Sequence, residues 1–380
     1  MKPRVTVVGA SYAGLACAVK LIEHDIKPTI IDAKPEPTVN STGGIASWWF
    51  RSAGLEYPRE SVSADIKGLR LTSPCGDSAE WHVQEPIGAV LDPEKYLSYY
   101  IGKVKEAGCD VVRPATFISY KNGMVGYTEK GYNIHQAADY VVAADGANSG
   151  VGRFVGRPEI NPKDLHFGYE ETLDNPGGYE KDVVYIYVDS DVCRWGYWWV
   201  FPDEFGKRVR VGLGIPKSVG ENPKSNFYDR LLKKHPEFAI RGAHRVVGGQ
   251  IPTAPVPSSN VVDNILFVGD AGKFCSPLHG GGIGFGVMSG VLAAEAIAEG
   301  KSYDALWKKK LGKVLRKHFL LKKMLYSWSD SDFDKAVDAL ASYPVDITSA
   351  DPNEHIGGFI RHLARHSPRL IPKFIRLAFG

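Results

Sequence analysis

Apolar residues in this chain gather in short runs that close on glycines and acids. Val5 to Val8 is a continuous β-branched run, the pattern of a strand buried on both faces. It leads into Gly9-Ala10-Ser11-Tyr12-Ala13-Gly14, after which Leu15, Ala18, Val19 and Ile22 recur along one helical face. Thr29-Ile30-Ile31 is a second strand and stops at Asp32. The order strand, tight turn, helix, strand predicts a βαβ unit. Two more buried strands are predicted, Tyr140 to Ala144 ending at Asp145, and Ile265 to Val268 ending at Gly269-Asp270. Between them, residues 165–215 take on strand patterns, notably 183–188 and 208–215. A helix of small residues is expected from about Gly286 to Glu299.

The turns carry the candidate chemistry. A dinucleotide fingerprint needs a glycine for the turn, a small residue where backbone meets pyrophosphate, and a glycine for close helix packing. Gly9, Ser11 and Gly14 meet those needs with Ser11 in place of the middle glycine, and Ala13 is small beside it. The helix N-terminus then offers free N–H groups to phosphates. Asp32 stands where a ribose hydroxyl would be bound. Asp270 at a strand end, and Gly281, Gly282 and Ile283 at a helix start, suit a ribitol and a pyrophosphate or flavin edge.

Composition changes this picture little at first. The chain has 380 residues, 44% hydrophobic and 23% charged, with a formal net charge of +3, which excludes a disordered chain and a uniformly basic nucleic-acid binder. No apolar run suits a membrane span, and the N-terminus lacks a signal-peptide pattern. Five scattered cysteines without a CxxC pair argue against a structural zinc site and for a reduced, cytoplasmic protein. His355, His362 and His366 are spread among arginines and are read as surface residues, so no metal is expected. Charge is uneven, however: residues 301–380 hold 15 Lys/Arg and 8 Asp/Glu. Lys308 to Lys310, Lys313, Arg316, Lys317, Lys322 and Lys323 line one helical segment, and 356–380 is both basic and apolar. An acidic connector, Asp330 to Asp338, divides the two. Such patterns suit an anionic membrane surface on the cytoplasmic side.

Taken together, the turn at residue 9, Ala144-Asp145-Gly146-Ala147-Asn148-Ser149 and Gly269-Asp270-Ala271-Gly272 resemble the three signatures of two-domain FAD enzymes of the aromatic-hydroxylase superfamily. Tyr197-Trp198-Trp199-Val200-Phe201-Pro202, Val211-Gly212-Leu213-Gly214 and Ser276-Pro277-Leu278-His279-Gly280-Gly281-Gly282-Ile283 resemble motifs of its geranylgeranyl reductase family. The resemblance implies an α/β fold: a Rossmann-like FAD-binding domain (1–160 and 255–300, with an excursion at 60–95), an inserted mixed β-sheet substrate domain (161–254), and a helical, basic C-terminal region (301–380). It implies FAD, with Asp32 on the adenosine ribose, Asp145 in the second signature and Asp270 near the ribityl chain. The implied activity is saturation of isoprenoid double bonds by reduced FAD. Three positions depart from the family pattern: Thr42 stands for a Cys, Arg194 for a Pro and Pro93 for an Arg. Gly43 and Gly44 remain, and with Thr42 count as flavin-side residues.

On a strand, Tyr197, Trp199 and Phe201 share one face, and Trp195 is expected to join them. Trp48, Trp195, Trp199, Phe201 and Pro202 are therefore the candidate lining for an apolar chain. Tyr197 and His279 are the candidate catalytic residues, with a flavin-bound water as a third proton source. The electron donor, whether NAD(P)H, ferredoxin or another, has no signature in the chain. A monooxygenase of a smaller apolar or aromatic substrate and a non-catalytic flavin or lipid binder are the competing readings.

Overall fold

The computed structural model describes residues 2–239 and 242–343, together with Gly358, 361–363, 365–367 and Leu370. A six-stranded sheet runs in the order Val261–Val262, Ile265–Phe267, Tyr140–Ala143, Val5–Val8, Thr29–Ile31, Val111–Val112. Every pair is parallel except the Val261–Val262 edge. Parallel strands need cover on both faces, which explains their continuous apolar runs. On one face lie the helices Tyr12–Glu23, Pro93–Glu106 and Ile283–Glu299, which share a core with Val5, Val7, Ile30 and Val142. On the other lies a three-stranded antiparallel meander, Ala115–Lys121, Met124–Glu129 and Tyr132–Ala137.

The two helices nearest the nucleotide turn meet backbone to backbone. A Cβ on Gly290 would fall 2.1 Å from the Ala13 carbonyl oxygen, so glycine is required there. This contact explains the run of small residues seen in the sequence. The helix also starts three residues earlier than expected, at Ile283.

A seven-stranded sheet follows the order Arg245–Pro252, Leu165–Asp174, Arg208–Pro216, Tyr197–Asp203, Val183–Tyr187, Gly68–Thr72, Ser78–His82. The last two strands come from the 60–95 excursion, which the sequence grouped with the nucleotide-binding part. Gly68–Thr72 pairs in parallel with Val183–Tyr187, so these residues extend the second sheet. One face of that sheet buries Trp198, Val200, Val211 and Leu213 under Phe227, Leu231 and Phe238. The opposite face carries Tyr197, Trp199 and Phe201, because side chains alternate along a strand. A small sheet of Gly44–Ala46, Gly88–Leu91 and Val62–Ile66 adjoins it.

After the Ile283–Glu299 helix, Tyr303–Trp307 passes through a π-helical turn, Lys308–Gly312, into the helix Lys313–Leu325. Leu311 and Leu315 are buried, while Lys308 to Lys310, Lys313, Arg316 and Lys323 are exposed. Lys322 is the exception to the basic stripe. It is buried and donates to Asp164 at 2.9 Å and to the Thr253 carbonyl at 3.0 Å. The acidic connector is a helix, Asp330–Ala341, opened by a capping box between Ser329 and Asp332. Most of the 356–380 tail lies outside the described residues.

Candidate functional site

Three turns converge where the parallel strands end. Gly9 has φ +108°, and a Cβ there would stand 2.4 Å from the Ala144 carbonyl oxygen. The first turn therefore packs directly on the second. Ser11 joins them chemically: its hydroxyl donates to the Ala144 carbonyl at 3.0 Å and accepts from the Gly14 N–H at 3.3 Å. This is why serine serves at the position usually held by glycine. It caps the helix that a phosphate would meet. Asp32 accepts from the Ala10 and Lys34 N–H groups at 2.7 and 2.8 Å, which fixes its carboxylate at the strand end. Asp145 turns inward to its own loop, accepting from Ser149 at 2.6 Å and from the Val151 N–H at 3.0 Å. Burial raises its pKa despite those bonds.

Asp270 differs. Its carboxylate has no hydrogen-bond partner among the described residues, and burial pushes its pKa up to about 7. One oxygen lies 3.1 Å from where a Cβ on Gly282 would stand, so the acid faces the glycine segment. That segment loops back on itself through Ser276. The Ser276 hydroxyl accepts from the Leu278 and His279 N–H groups, both at 3.2 Å, and meets His318 Nδ1 at 2.9 Å. Gly281 donates its N–H to His279 Nδ1 at 3.2 Å. The His279 ring reaches solvent, yet the crowded loop pushes its pKa down to about 4. Its imidazole is thus neutral near pH 7, with Nδ1 already accepting. Tyr197 donates its phenol proton to the His279 carbonyl at 2.5 Å, and burial raises its pKa. Both candidate catalytic residues are brought together, each engaged with the loop backbone.

The aromatic face meets the loop of Thr42, Gly43 and Gly44. Gly44 lies under Phe201: a Cβ there would be 2.5 Å from the ring. Gly43, at φ +83°, is pinned against the Leu91 carbonyl, 2.2 Å from a would-be Cβ. The Trp199 indole lies over Gly212, 2.6 Å from where a Cβ would stand. Trp48 stacks on Trp49 at 4.0 Å, and Trp49 fills the space beside Gly284.

Two candidate lining residues fall elsewhere. Trp195 precedes the strand at φ +58° and is 40% exposed, stacked on Tyr326 at 5.8 Å. That left-handed backbone lies in the turn before Tyr197 and ends the strand there, and the next residue, Gly196, passes so close to Gly214 that a Cβ would fall 1.8 Å from its carbonyl oxygen. Pro202 pairs with Val209 on the core face, opposite Phe201.

Two residues that the sequence reading missed are central to the geometry. Glu170 is buried on the same face as Trp199, since both pair with Gly212. Its Oε2 accepts from the Thr42 hydroxyl at 2.7 Å and from the Trp199 indole N–H at 2.8 Å. Arg210, also buried, donates to the Thr42 and Leu91 carbonyls and to Asp203, the last at 2.7 Å. Their signal in the sequence was alternation: Gly168, Glu170 and Thr172 share one face while Tyr169 and Leu173 share the other.

Residues 164–251 match the model of the geranylgeranyl reductase catalytic domain. The chain is 29% identical over 366 residues to digeranylgeranylglycerophospholipid reductase 2 of Methanothermobacter thermautotrophicus, covering 90% of this chain and 92% of that protein. It is 25% identical to the digeranylgeranylglycerophospholipid reductase of Methanothrix thermoacetophila, covering 98% of each. Over most of its length the chain is thus similar to reductases of the geranylgeranyl reductase family. Its fold is that of a geranylgeranyl bacteriochlorophyll reductase-like protein from Thermoplasma acidophilum, with a TM-score of 0.88, 23% identity and 99% of each chain covered. The flavin-dependent brominase Bmp2 shares the fold at a TM-score of 0.69 and 16% identity, over 96% of this chain and all of the other. So does CtdE, a protein solved with FAD, at a TM-score of 0.69 and 16% identity over 96% of this chain and 99% of that one. The chain thus shares its α/β architecture with a flavin-dependent brominase.

Proposed function

We propose that this protein is an FAD-dependent reductase that saturates isoprenoid double bonds of a prenyl lipid. The observation that carries the proposal is the seam between the aromatic face and the flavin-side loops, made by Phe201 on Gly44, Trp199 through Glu170 to Thr42, and Tyr197 on the His279 carbonyl. The residues present fit FAD: the Asp270 carboxylate is left for a hydroxyl donor, and Ser11 caps a helix whose first N–H groups suit a phosphate. Ser11 and the helix behind it would hold the pyrophosphate, Asp32 the ribose and Asp270 the ribityl chain. Reduced FAD would supply hydride.

The chain's own residues bind, orient and exclude water. Trp199 and Phe201 present flat apolar surface to an alkene and keep solvent from it. Their π faces also favour positive charge developing at carbon. Tyr197 retains its phenolic proton near pH 7 but donates it to the His279 carbonyl, so it would have to turn from that bond to protonate a substrate. Basic side chains on the exposed face of Lys313–Leu325 and on the preceding π turn suit an anionic membrane carrying the substrate. The matched digeranylgeranylglycerophospholipid reductases support a lipid substrate.

The test is anaerobic. The yellow holoprotein is reduced with dithionite and mixed with geranylgeranyl lipids, and products are weighed. A gain of two hydrogens for each double bond lost is expected. Substrate-stimulated oxygen consumption with NAD(P)H, and no saturation across several prenyl lipids, would replace the proposal with a monooxygenase.

A further inference from the structure

Glu170 buries a carboxylate in the sheet face that meets the flavin-side loop. It is 3% exposed, and Oε1 has no hydrogen-bond partner among the described residues. Burying such a group costs stability unless its bonds repay it. Both bonds that it makes run from Oε2 and leave its own strand. One reaches Thr42, in the loop beside Gly43 and Gly44; the other reaches Trp199, in the aromatic motif strand. The same loop residue is held from its other side, since the Thr42 carbonyl accepts from Arg210. Arg210 is in turn neutralised by Asp203 at 2.7 Å. The loop and the indole therefore share one acceptor atom. If the loop shifts, Oε2 must follow, and the indole plane over Gly212 shifts with it.

We propose that Glu170 is a positioning residue that couples the flavin-side loop to the Trp199 wall, so that FAD and an apolar chain each tighten the other's binding. This rests on the reductase reading above. Two ligands that order one shared clamp bind with positive cooperativity, because the first meets the ordering cost for the second. Coupling between sites commonly amounts to about 5- to 150-fold. Roughly tenfold, or about 1.4 kcal/mol, lies within that range and below the combined worth of two hydrogen bonds at about 1 kcal/mol each. The coupling is reciprocal, so it can be read from either ligand.

The geometry separates the acceptor from the charge. In Glu170→Gln the amide oxygen can occupy the Oε2 position and accept both bonds, while its NH2 group takes the place of Oε1. In Glu170→Ala both bonds are lost. In Trp199→Phe the ring remains and only the indole donor goes.

The experiment measures FAD affinity of the apoprotein by flavin fluorescence, with and without a saturating geranylgeranyl lipid, in the absence of reductant. Wild type and Glu170→Gln should bind FAD about tenfold more tightly with the lipid present. Glu170→Ala and Trp199→Phe should bind FAD with the lipid making less than about a twofold difference. If Glu170→Ala does not fold, Trp199→Phe carries the test alone. Undiminished coupling in Glu170→Ala or in Trp199→Phe overturns the proposal. So does loss of coupling in Glu170→Gln, which would assign the role to the charge. Wild type that binds FAD but no prenyl lipid overturns the reductase reading instead.

Discussion

The Asp270 carboxylate makes FAD affinity depend on pH in a direction that the structure determines. Without ligand, burial raises its pKa from 3.8 to about 7, with no partner among the described residues to offset the cost. A ribityl hydroxyl donating to the carboxylate favours the charged form and lowers that pKa. FAD binding then expels a proton. Affinity rises as pH climbs towards about 7 and levels off above it, where Asp270 is ionised before FAD arrives. Full return to the ordinary value is a shift of about three units, each worth about 1.4 kcal/mol, or roughly a thousandfold in affinity overall. Solvent reaches part of the side chain, so about one unit, or tenfold, is the expected gain. Flavin fluorescence titrations of apoprotein from about pH 5 to about pH 8 measure it, with Asp270→Asn as the companion. Asp270→Asn should bind FAD more weakly at the upper end and show a flat profile. A flat profile in wild type, or an equal slope in Asp270→Asn, refutes the assignment of Asp270 to the ribityl chain.

Three further outcomes follow from packing. Trp199→Ala removes most of an aromatic wall, about 2 kcal/mol of apolar contact, and should raise the KM for long prenyl substrates roughly thirtyfold while the visible spectrum of bound FAD stays intact. Gly290→Val forces a side chain towards the Ala13 carbonyl, 2.1 Å from the new Cβ, and should cost about 1–3 kcal/mol, read as a Tm several degrees lower. Lys322→Met strands the Asp164 carboxylate and should lower the urea midpoint by an amount equivalent to about 3 kcal/mol, whereas Lys309→Glu on the exposed side of the same region should change it by under about 0.5 kcal/mol.

The parallel sheet and its turns were legible because buried parallel strands have little freedom of composition. Val5 to Val8 and Ile265 to Val268 are apolar throughout, and a strand ending in glycine and an acid has few other uses. The aromatic face was legible for the same reason, through alternation at Tyr197, Trp199 and Phe201. Alternation alone did not show where the strand starts. Trp195 continues the i, i+2 pattern, but the close pass of Gly196 under Gly214 is a cross-strand fact. Glu170 and Arg210 were hidden by their charge, because a strand with Glu170-Glu171 in sequence reads as half-solvated. Their partners, Thr42, Leu91 and Trp199, lie 7 to 168 positions away along the chain if Asp203 is included, and only the folded register joins them. Lys322 shows the reverse error. Its neighbours are solvated lysines, and only its contact with Thr253 marks it as interior.

The Tyr197 phenol on the His279 carbonyl has a mechanical consequence. It ties the seven-stranded sheet to the glycine loop by one hydrogen bond between neutral groups, worth about 1 kcal/mol. Beside it, Ile251 rests on Gly280, 3.1 Å from where a Cβ would stand, and such an apolar contact slides without a directional penalty. By contrast, the crossing at Ala13 and Gly290 is rigid backbone. Opening the Tyr197 joint therefore costs less than parting that crossing, and loop openings of this kind run on the microsecond to millisecond scale. A long apolar product of the proposed reaction would find its easiest exit at that joint, which can open without disturbing the turns that would grip the nucleotide.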